Sequence, residues 1–427
     1  MTEALVLFSM FAMIGIGVPI ALSILASALI GVWLLNGSLG FLNAALSLFD
    51  GATKFPLIAI PLFVLAGALM NTGGISTRLI AFVSALVGFV RGGLAMVNVG
   101  VSLFFAEISG SAVADVAATG SVLIPAMKKK GYKPRFAAAI TSSTASLAII
   151  IPPSIPMILY GALSGTSIVQ LFVAGIIPGL LGAFLLMCMC YYFAVRYDLP
   201  REEGFDLCRL WHATREALWA LILPVVILGS IFGGVVTATE GAALAVVTAL
   251  FIGLFIYREL DLAKLYHALV GGVVQTSIVM LLVATSAVLG LYLTETEMPQ
   301  RLAASIADVT TNKFAVLMII NVFLLFVGMV LHGAAAIILT VPIFMPLVNQ
   351  LGIDPIQFGI LLTLNIALGQ QTPPVASVLV TACSIAKTDV WGTTRTNLPF
   401  IGVLLLVLLL VTYVPAVSLT LVDFFYP

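Results

Sequence analysis

The residues able to do chemistry gather around two Pro-Pro pairs, Pro152-Pro153 and Pro373-Pro374. Before the first stand Ser142, Ser143, Thr144 and Ser146; before the second stand Thr363, Asn365, Gly369, Gln370, Gln371 and Thr372. Upstream of each lies a further small polar set, Ser109-Gly110-Ser111 and His332-Gly333. Hydroxyls, carboxamides and opened backbone carbonyls are hard oxygen ligands, and several together suit Na⁺ without a buried formal charge. Half-helix N-termini at such breaks carry partial positive charge and can hold a substrate anion. The expected ion-binding positions are Ser109, Gly110, Ser111, Ser142, Ser143, Thr144, Ser146, Gly333, Asn365, Gly369 and Thr372. The expected substrate-binding positions are Pro152, Pro153, His332, Gln370, Gln371, Pro373 and Pro374. A serine in a membrane helix has a plainer use, bonding its own i−4 carbonyl or a neighbouring helix. Clustering at two related breaks favours ligation.

Other chemistries lack their parts. Cys188, Cys190, Cys208 and Cys383 have no metal-ligand spacing, and His212, His267 and His332 are scattered. No glycine-rich phosphate loop follows a strand, and no nucleophile sits beside a base. The expectation is therefore a protein that is not an enzyme and has no cofactor, with Na⁺ as a coupling ion. Net charge is zero, which disfavours a nucleic-acid partner.

The elements that must position these residues occur twice. Pro125, Gly131, Pro134, Pro152 and Pro153 recur as Pro346, Gly352, Pro355, Pro373 and Pro374, all displaced by 221 residues. Proline removes a backbone donor and clashes with the preceding turn, so each apolar helix must open at its Pro-Pro pair. Opened backbone is tolerated at membrane depth only where it is buried in protein or lines a cavity. A membrane is implied because 62% of residues are hydrophobic and 8% charged, with a mean hydropathy of +1.22. The apolar runs have helical length and no period-2 pattern, which excludes a barrel. The N-terminus, Met-Thr-Glu, has no basic region or cleavage site, so the first apolar run is expected to remain as a span.

Read in order, residues 4–35 form two helices meeting at Gly17-Val18-Pro19, and 38–52 form a connection. A helix from Pro56 to Met70 precedes an amphipathic interfacial stretch between Arg78 and Arg91. Residues 94–127 hold two apolar pieces, each of about 15 residues, too short to cross ~30 Å of hydrocarbon at 1.5 Å per residue. They read as a re-entrant hairpin with its tip at Ser109-Gly110-Ser111, the alternative being one kinked span. A broken helix occupies 136–163 and a further helix 169–193. The polar segment 196–216 reads as an interfacial connector between halves. The second half follows with helices at 217–236 and up to Arg258, then 265–293, a hairpin at 314–348, a broken helix at 356–386 and a last helix at 398–424.

The first loop carries Lys128, Lys129, Lys130, Lys133 and Arg135, whereas its counterpart, 349–355, has no Lys or Arg. Basic loops stay cytoplasmic, so the halves face opposite ways and both termini fall on the outer side. The expected fold is an all-α polytopic membrane protein. It is an inverted-topology repeat of residues 1–195 and 217–427, with two re-entrant hairpins and two broken helices. Glu107, Asp115 and Glu240 are acids within or beside apolar runs. Such residues mark proton sites or cap helix ends, and for Asp115 and Glu240 a cap is the simpler reading. His332 either binds substrate or satisfies its turn.

Several stretches are familiar. SGSAVADVAATGSVLIPAMKKKGY, IIPPSIPMILYG, TATEGAA and GQQTPP followed by SIAKT resemble the large membrane subunit of tripartite ATP-independent periplasmic (TRAP) transporters. The resemblance covers essentially the whole chain. It implies an ion-coupled secondary importer of small organic acids in the bacterial inner membrane, usually driven by Na⁺ and moving as an elevator. It also implies two protein partners, a periplasmic substrate-binding protein and a small four-helix membrane subunit. The chain has no room for a fused small subunit, so that partner is expected as a separate polypeptide. The sequence departs from the resemblance at His332, where an acidic residue is expected, and at Gln370-Gln371, where aliphatic residues are expected. The nearest rival is a stand-alone divalent-anion secondary transporter that needs no binding protein.

Overall fold

The computed structural model describes residues 2–200, 204–298, 300, 301, 305 and 312–426, without the side chains of 2–4 and 107–109. The described backbone is helical apart from turns and short irregular stretches. Nine segments among the described residues are long and apolar enough to cross a membrane. Phe8, Leu39, Phe184 and Val225 are among many large apolar side chains left exposed. So much apolar surface needs lipid, not water, around it.

The first half begins with α1 (Thr2–Gly15), α2 (Ile20–Asn36), α3 (Gly40–Ala52), α4 (Ala59–Thr72) and α5 (Ile75–Val87). The expected connection at 38–52 is therefore corrected to a helix. Its Asn43, Ser47 and Asp50 gave a polar look, but Phe41, Leu42, Leu46 and Phe49 form an exposed apolar face. Next comes a hairpin of α6 (Gly93–Ser109) and α7 (Ala112–Lys129), turning at Gly110 in the left-handed region, φ 54°. The broken helix is α8 (Pro134–Ala145), a 3₁₀ turn over Ser146–Ile149, irregular backbone to Ser154, and α9 (Ile155–Ser164). The half closes with α10 (Ile168–Arg196), N-capped by Ser167.

The second half has α11 (Leu207–Phe232), α12 (Ala238–Phe251) and α13 (Leu262–Glu295). The side chain of Asp206 caps α11 by accepting from the Cys208 amide, so this helix starts ten residues before the expected 217. The non-helical connector shrinks from 196–216 to 197–206, of which 201–203 lie outside the described residues. The hairpin is α14 (Lys313–Val330) and α15 (Gly333–Gln350). The broken helix is α16 (Pro355–Gly369) and α17 (Ser377–Ala386). The expected single last helix is two, α18 (Val390–Tyr413) and α19 (Ala416–Phe425), because Pro415 cannot continue a hydrogen-bonded helix.

The repeat is visible residue by residue. Helices α7 and α15 are each 18 residues long, and Pro134 and Pro355 open α8 and α16 at the first helical position. The Pro152–Pro153 and Pro373–Pro374 bonds are both cis. Packing runs across the repeat: α15 lies on α9, α17 on α7 and α18 on α8. Tyr160 fixes one such crossing, its buried hydroxyl donating to the Pro355 carbonyl at 2.5 Å. Helix α13 packs along α2, α3 and α4 and reaches α15 with its other side. That places it as a wall beside the hairpin tips.

Candidate functional site

Each hairpin tip rests on a helix break. A Cβ added to Gly110 would lie 3.0 Å from the Ile155 amide nitrogen and 3.2 Å from the Pro153 carbonyl oxygen. A Cβ on Gly333 would lie 2.7 Å from the Gln370 side-chain nitrogen. The second break is also stitched to its hairpin, with the Val375 amide donating to the Met329 carbonyl at 3.2 Å. The opened backbone thus finds partners within the protein, as membrane depth requires.

Between the tips lies a cavity of about 370 Å³. Its wall combines Gly110, Ser111 and Ala112 of the first hairpin, His332, Gly333 and Ala334 of the second, Ile155 and Pro156 of α9, and Gln370. Helix α13 closes it with Gln275, Ile278, Val279 and Leu282. No Lys, Arg, Asp or Glu is among these lining residues. The N-termini of α7, α9 and α15 all reach the cavity, and neither Ser111, Ser154 nor His332 caps its helix with a side-chain bond. Helix N-termini present orphan amides and a partial positive charge that favour an anion.

Of the expected site residues, Gly110, Ser111, His332, Gly333 and Gln370 line this cavity. Others lie behind it, fully buried. The Ser143 hydroxyl lies 2.8 Å from Gln371 Oε1 and 2.7 Å from Asn397 Oδ1. Gln371 Nε2 donates to Ser146 Oγ at 2.6 Å. These bonds join α8 to the second break, so Gln371 holds the halves together while its neighbour Gln370 faces the cavity. Thr372 bonds its own Leu368 carbonyl, and Gly369 packs on Gly328. Pro152 and Pro153 are buried, Pro373 is half-buried and Pro374 exposed; none of the four is in the cavity wall. The Ser109 and Glu107 side chains lie outside the described residues.

Each hairpin also bonds its own broken helix through an asparagine. Thr144 donates to Asn98 Oδ1 on α6 at 2.9 Å, and Asn365 donates to Asn321 Oδ1 on α14 at 2.7 Å. Thr144 and Asn365 are repeat mates, 221 residues apart. Among the described residues, both oxygens of Asp115, Ser142 Oγ and Asn365 Oδ1 are buried without a hydrogen-bond partner. The capping reading fails for Asp115 and holds for Glu240, whose carboxylate accepts from the Thr237 amide at 2.8 Å in a capping box. Sequence reasoning missed Gln275, Asn98, Ser102, Asn321 and Asn397. The available signal was a lone polar residue inside an apolar helix.

A cavity where two hairpin tips meet two helix breaks, in a helical fold with this lipid-facing surface, defines a polytopic membrane transport protein. Residues 7–417 match the family described as "Tripartite ATP-independent periplasmic transporter, DctM component". The chain belongs to that family, the large membrane permeases of TRAP transporters. It is 39% identical to the isethionate TRAP transporter permease protein DctMQ of Oleidesulfovibrio alaskensis over 97% of this chain, and spans 65% of that protein's length. It is 39% identical to the C4-dicarboxylate permease DctM of Pseudomonas aeruginosa, with 89% of each chain covered. Identity to the 2,3-diketo-L-gulonate permease YiaN of Escherichia coli is also 39%, over 94% of each. The fold is similar to that of the Alcanivorax borkumensis YdaH transporter, with a TM-score of 0.66 at 15% identity, covering 95% of this chain and 97% of that one.

Proposed function

We propose that this chain carries a small organic anion into the cell, driven by Na⁺, in the bacterial inner membrane. The observation that carries this reading is the convergence of the N-termini of α7, α9 and α15 on one cavity whose lining, among the described residues, has no charged side chain. Isethionate, C4-dicarboxylates and 2,3-diketogulonate, the substrates named for three relatives, are all small organic anions. His332, Gln370 and Gln275 supply neutral polar contacts around the anion. A periplasmic binding protein delivers the substrate and a small four-helix membrane subunit completes the complex. The hairpins and broken helices move together against α2–α4 and α11–α13 as an elevator, in two halves of opposite orientation with both termini periplasmic.

Coupling ions sit at the two breaks, one with Ser111 and Ser142–Ser146, the other with Gly333 and Asn365–Thr372. Support comes from Ser142 Oγ and Asn365 Oδ1, which are fully buried and unpartnered. The test is initial uptake against external Na⁺ in proteoliposomes holding this chain and the small subunit, with the binding protein outside. Radiolabelled isethionate, succinate and 2,3-diketogulonate are the probes. Ser111→Ala and Asn365→Ala should raise the Na⁺ concentration for half-maximal uptake several-fold, while Leu185→Ala leaves it alone. Loss of a true ligand is worth about 1–3 kcal/mol, against an average of ~0.6 for an interhelical hydrogen bond. An unchanged Na⁺ dependence in both variants overturns the paired sites. Uptake by this chain without a binding protein favours a stand-alone carrier instead.

A further inference from the structure

Two surface clefts occupy the same place in the two repeats. The first lies between the start of α8 and the turn from α17 to α18, and holds Lys133, Pro134, Arg135, Lys387, Thr388 and Asp389. The second lies between the start of α16 and the turn from α9 to α10, and holds Asp354, Pro355, Ile356, Gly165, Thr166 and Ser167. Residues 133–135 find their mates 221 positions on, and 387–389 find theirs 222 positions back. The fold therefore builds a cleft twice, and what differs is the charge placed in it. Lys133, Arg135 and Lys387 of the first stand where the second has Asp354, Ile356 and Gly165.

The first cleft, of about 800 Å³, sets three cations against one carboxylate. That carboxylate is already engaged at both oxygens. Asp389 Oδ1 accepts from Arg135 Nε at 2.9 Å and Nη2 at 2.6 Å, and Oδ2 accepts from the Gly392 amide at 2.6 Å. Arg135 Nη1 and the Lys387 ammonium meet no acceptor among the described residues, and Lys133 Nζ lies 5.5 Å from the centre of the Tyr197 ring. Lys387 also holds a left-handed backbone, φ 57°, at the position where its mate is glycine, φ 75°. A residue with a Cβ is disfavoured there, so the fold alone does not ask for lysine. Charge that keeps a loop inside can sit anywhere along that loop. Lys387 comes instead from a separate turn, and reaches the cleft because α17 and α18 pack on α8.

Several N–H donors around a net positive cleft suit a phosphate, whose oxygens accept from Arg and Lys together. The surroundings point to the source of that phosphate. Tyr197 lines the cleft, and Val195 and Trp391, each two residues from a lining residue, are large apolar side chains left exposed on α10 and α18. Aromatic residues beside a basic rim mark the level of lipid headgroups, where basic pockets between helices hold anionic lipids. We propose that this cleft binds the phosphate of an anionic phospholipid through Lys133, Arg135 and Lys387, with the acyl chains along the exposed faces of α10 and α18. The site rests on membrane residence and not on sodium coupling. Its occupant ties α8 to the turn before α18, alongside the Arg135–Asp389 pair and the bond from Lys128 to the Ala386 carbonyl at 3.1 Å.

The test uses the purified full chain in mixed micelles, with phosphatidylglycerol replacing phosphatidylcholine at constant total lipid. Phosphatidylcholine carries the same phosphate with a cation beside it, so only the anionic lipid should stabilise the wild-type protein against thermal unfolding and be retained in native mass spectrometry. In Lys133→Gln with Lys387→Gln, the phosphatidylglycerol fraction for half-maximal stabilisation should rise at least tenfold. Arg258→Gln with Lys264→Gln removes two charges elsewhere and should leave it unchanged. Inorganic phosphate at constant ionic strength is the second arm, and should compete only at far higher concentration. Equal shifts in the two double variants overturn the site, as does a wild-type protein indifferent to which lipid is present, a measurement that needs no variant. Inorganic phosphate that matches phosphatidylglycerol at equal concentration overturns the lipid as occupant. Uptake and its Na⁺ dependence enter none of these readings, so failure here leaves the transport reading standing.

Discussion

Gly328 and Gly369 meet backbone to backbone where α14 of the second hairpin crosses the end of α16: a Cβ on Gly369 would lie 2.5 Å from the Gly328 Cα. Small residues at such a crossing let membrane helices approach closely enough for van der Waals packing to hold them. The contact lies beside the Met329–Val375 bond, so the crossing and the second break form one rigid unit.

Gly369→Ala is therefore expected to destabilise the protein, because the obstacle is backbone and cannot rotate aside. Overpacking of this kind costs about 1–3 kcal/mol. Thermal unfolding of the purified chain measures it, and Gly402→Ala is the control, since a Cβ there meets nothing within 4 Å. Equal midpoints for the two variants would mean that α14 and α16 separate freely.

Gln370 and Gln371 should divide affinity from stability. Gln371→Leu strands the buried groups of Ser143, Ser146 and Asn397 and should lower the unfolding midpoint, at a cost of about 1–3 kcal/mol. Gln370→Leu and His332→Ala alter the cavity wall. They should raise the substrate concentration for half-maximal uptake several-fold at nearly unchanged stability. If Gln371→Leu moves only substrate affinity, that residue belongs to the cavity after all.

Inversion of the halves is best read from Lys129 and Gln350, repeat mates that are both exposed at the ends of α7 and α15. Tyr132 and Ile353, at the turns that follow, are buried at 3% and 2% and would label poorly. Single cysteines at 129 and 350, in a chain stripped of its four native cysteines, should react with an impermeant maleimide from opposite sides of the membrane. Reaction from one side only would end the inverted reading.

Much of this protein was legible in its sequence because proline and glycine act locally. Pro134 and Pro355 open helices, the Pro-Pro pairs lie in the breaks that follow them, and the 221-residue displacement repeats both without reference to any neighbour. Membrane residence followed from composition alone. What only the tertiary structure decided is direction. Gln370 and Gln371 are neighbours just past the end of α16, yet only Gln370 lines the cavity, and which one does is set by the second hairpin packing on the break. The same holds for Asp115, indistinguishable in sequence from a capping acid. Its isolation depends on α6 and α8 closing over α7 with hydroxyls turned elsewhere. Gln275 enters the cavity only because α13, distant in sequence, forms its wall. Backbone punctuation is written in single residues, whereas a binding surface exists only once separate helices have packed.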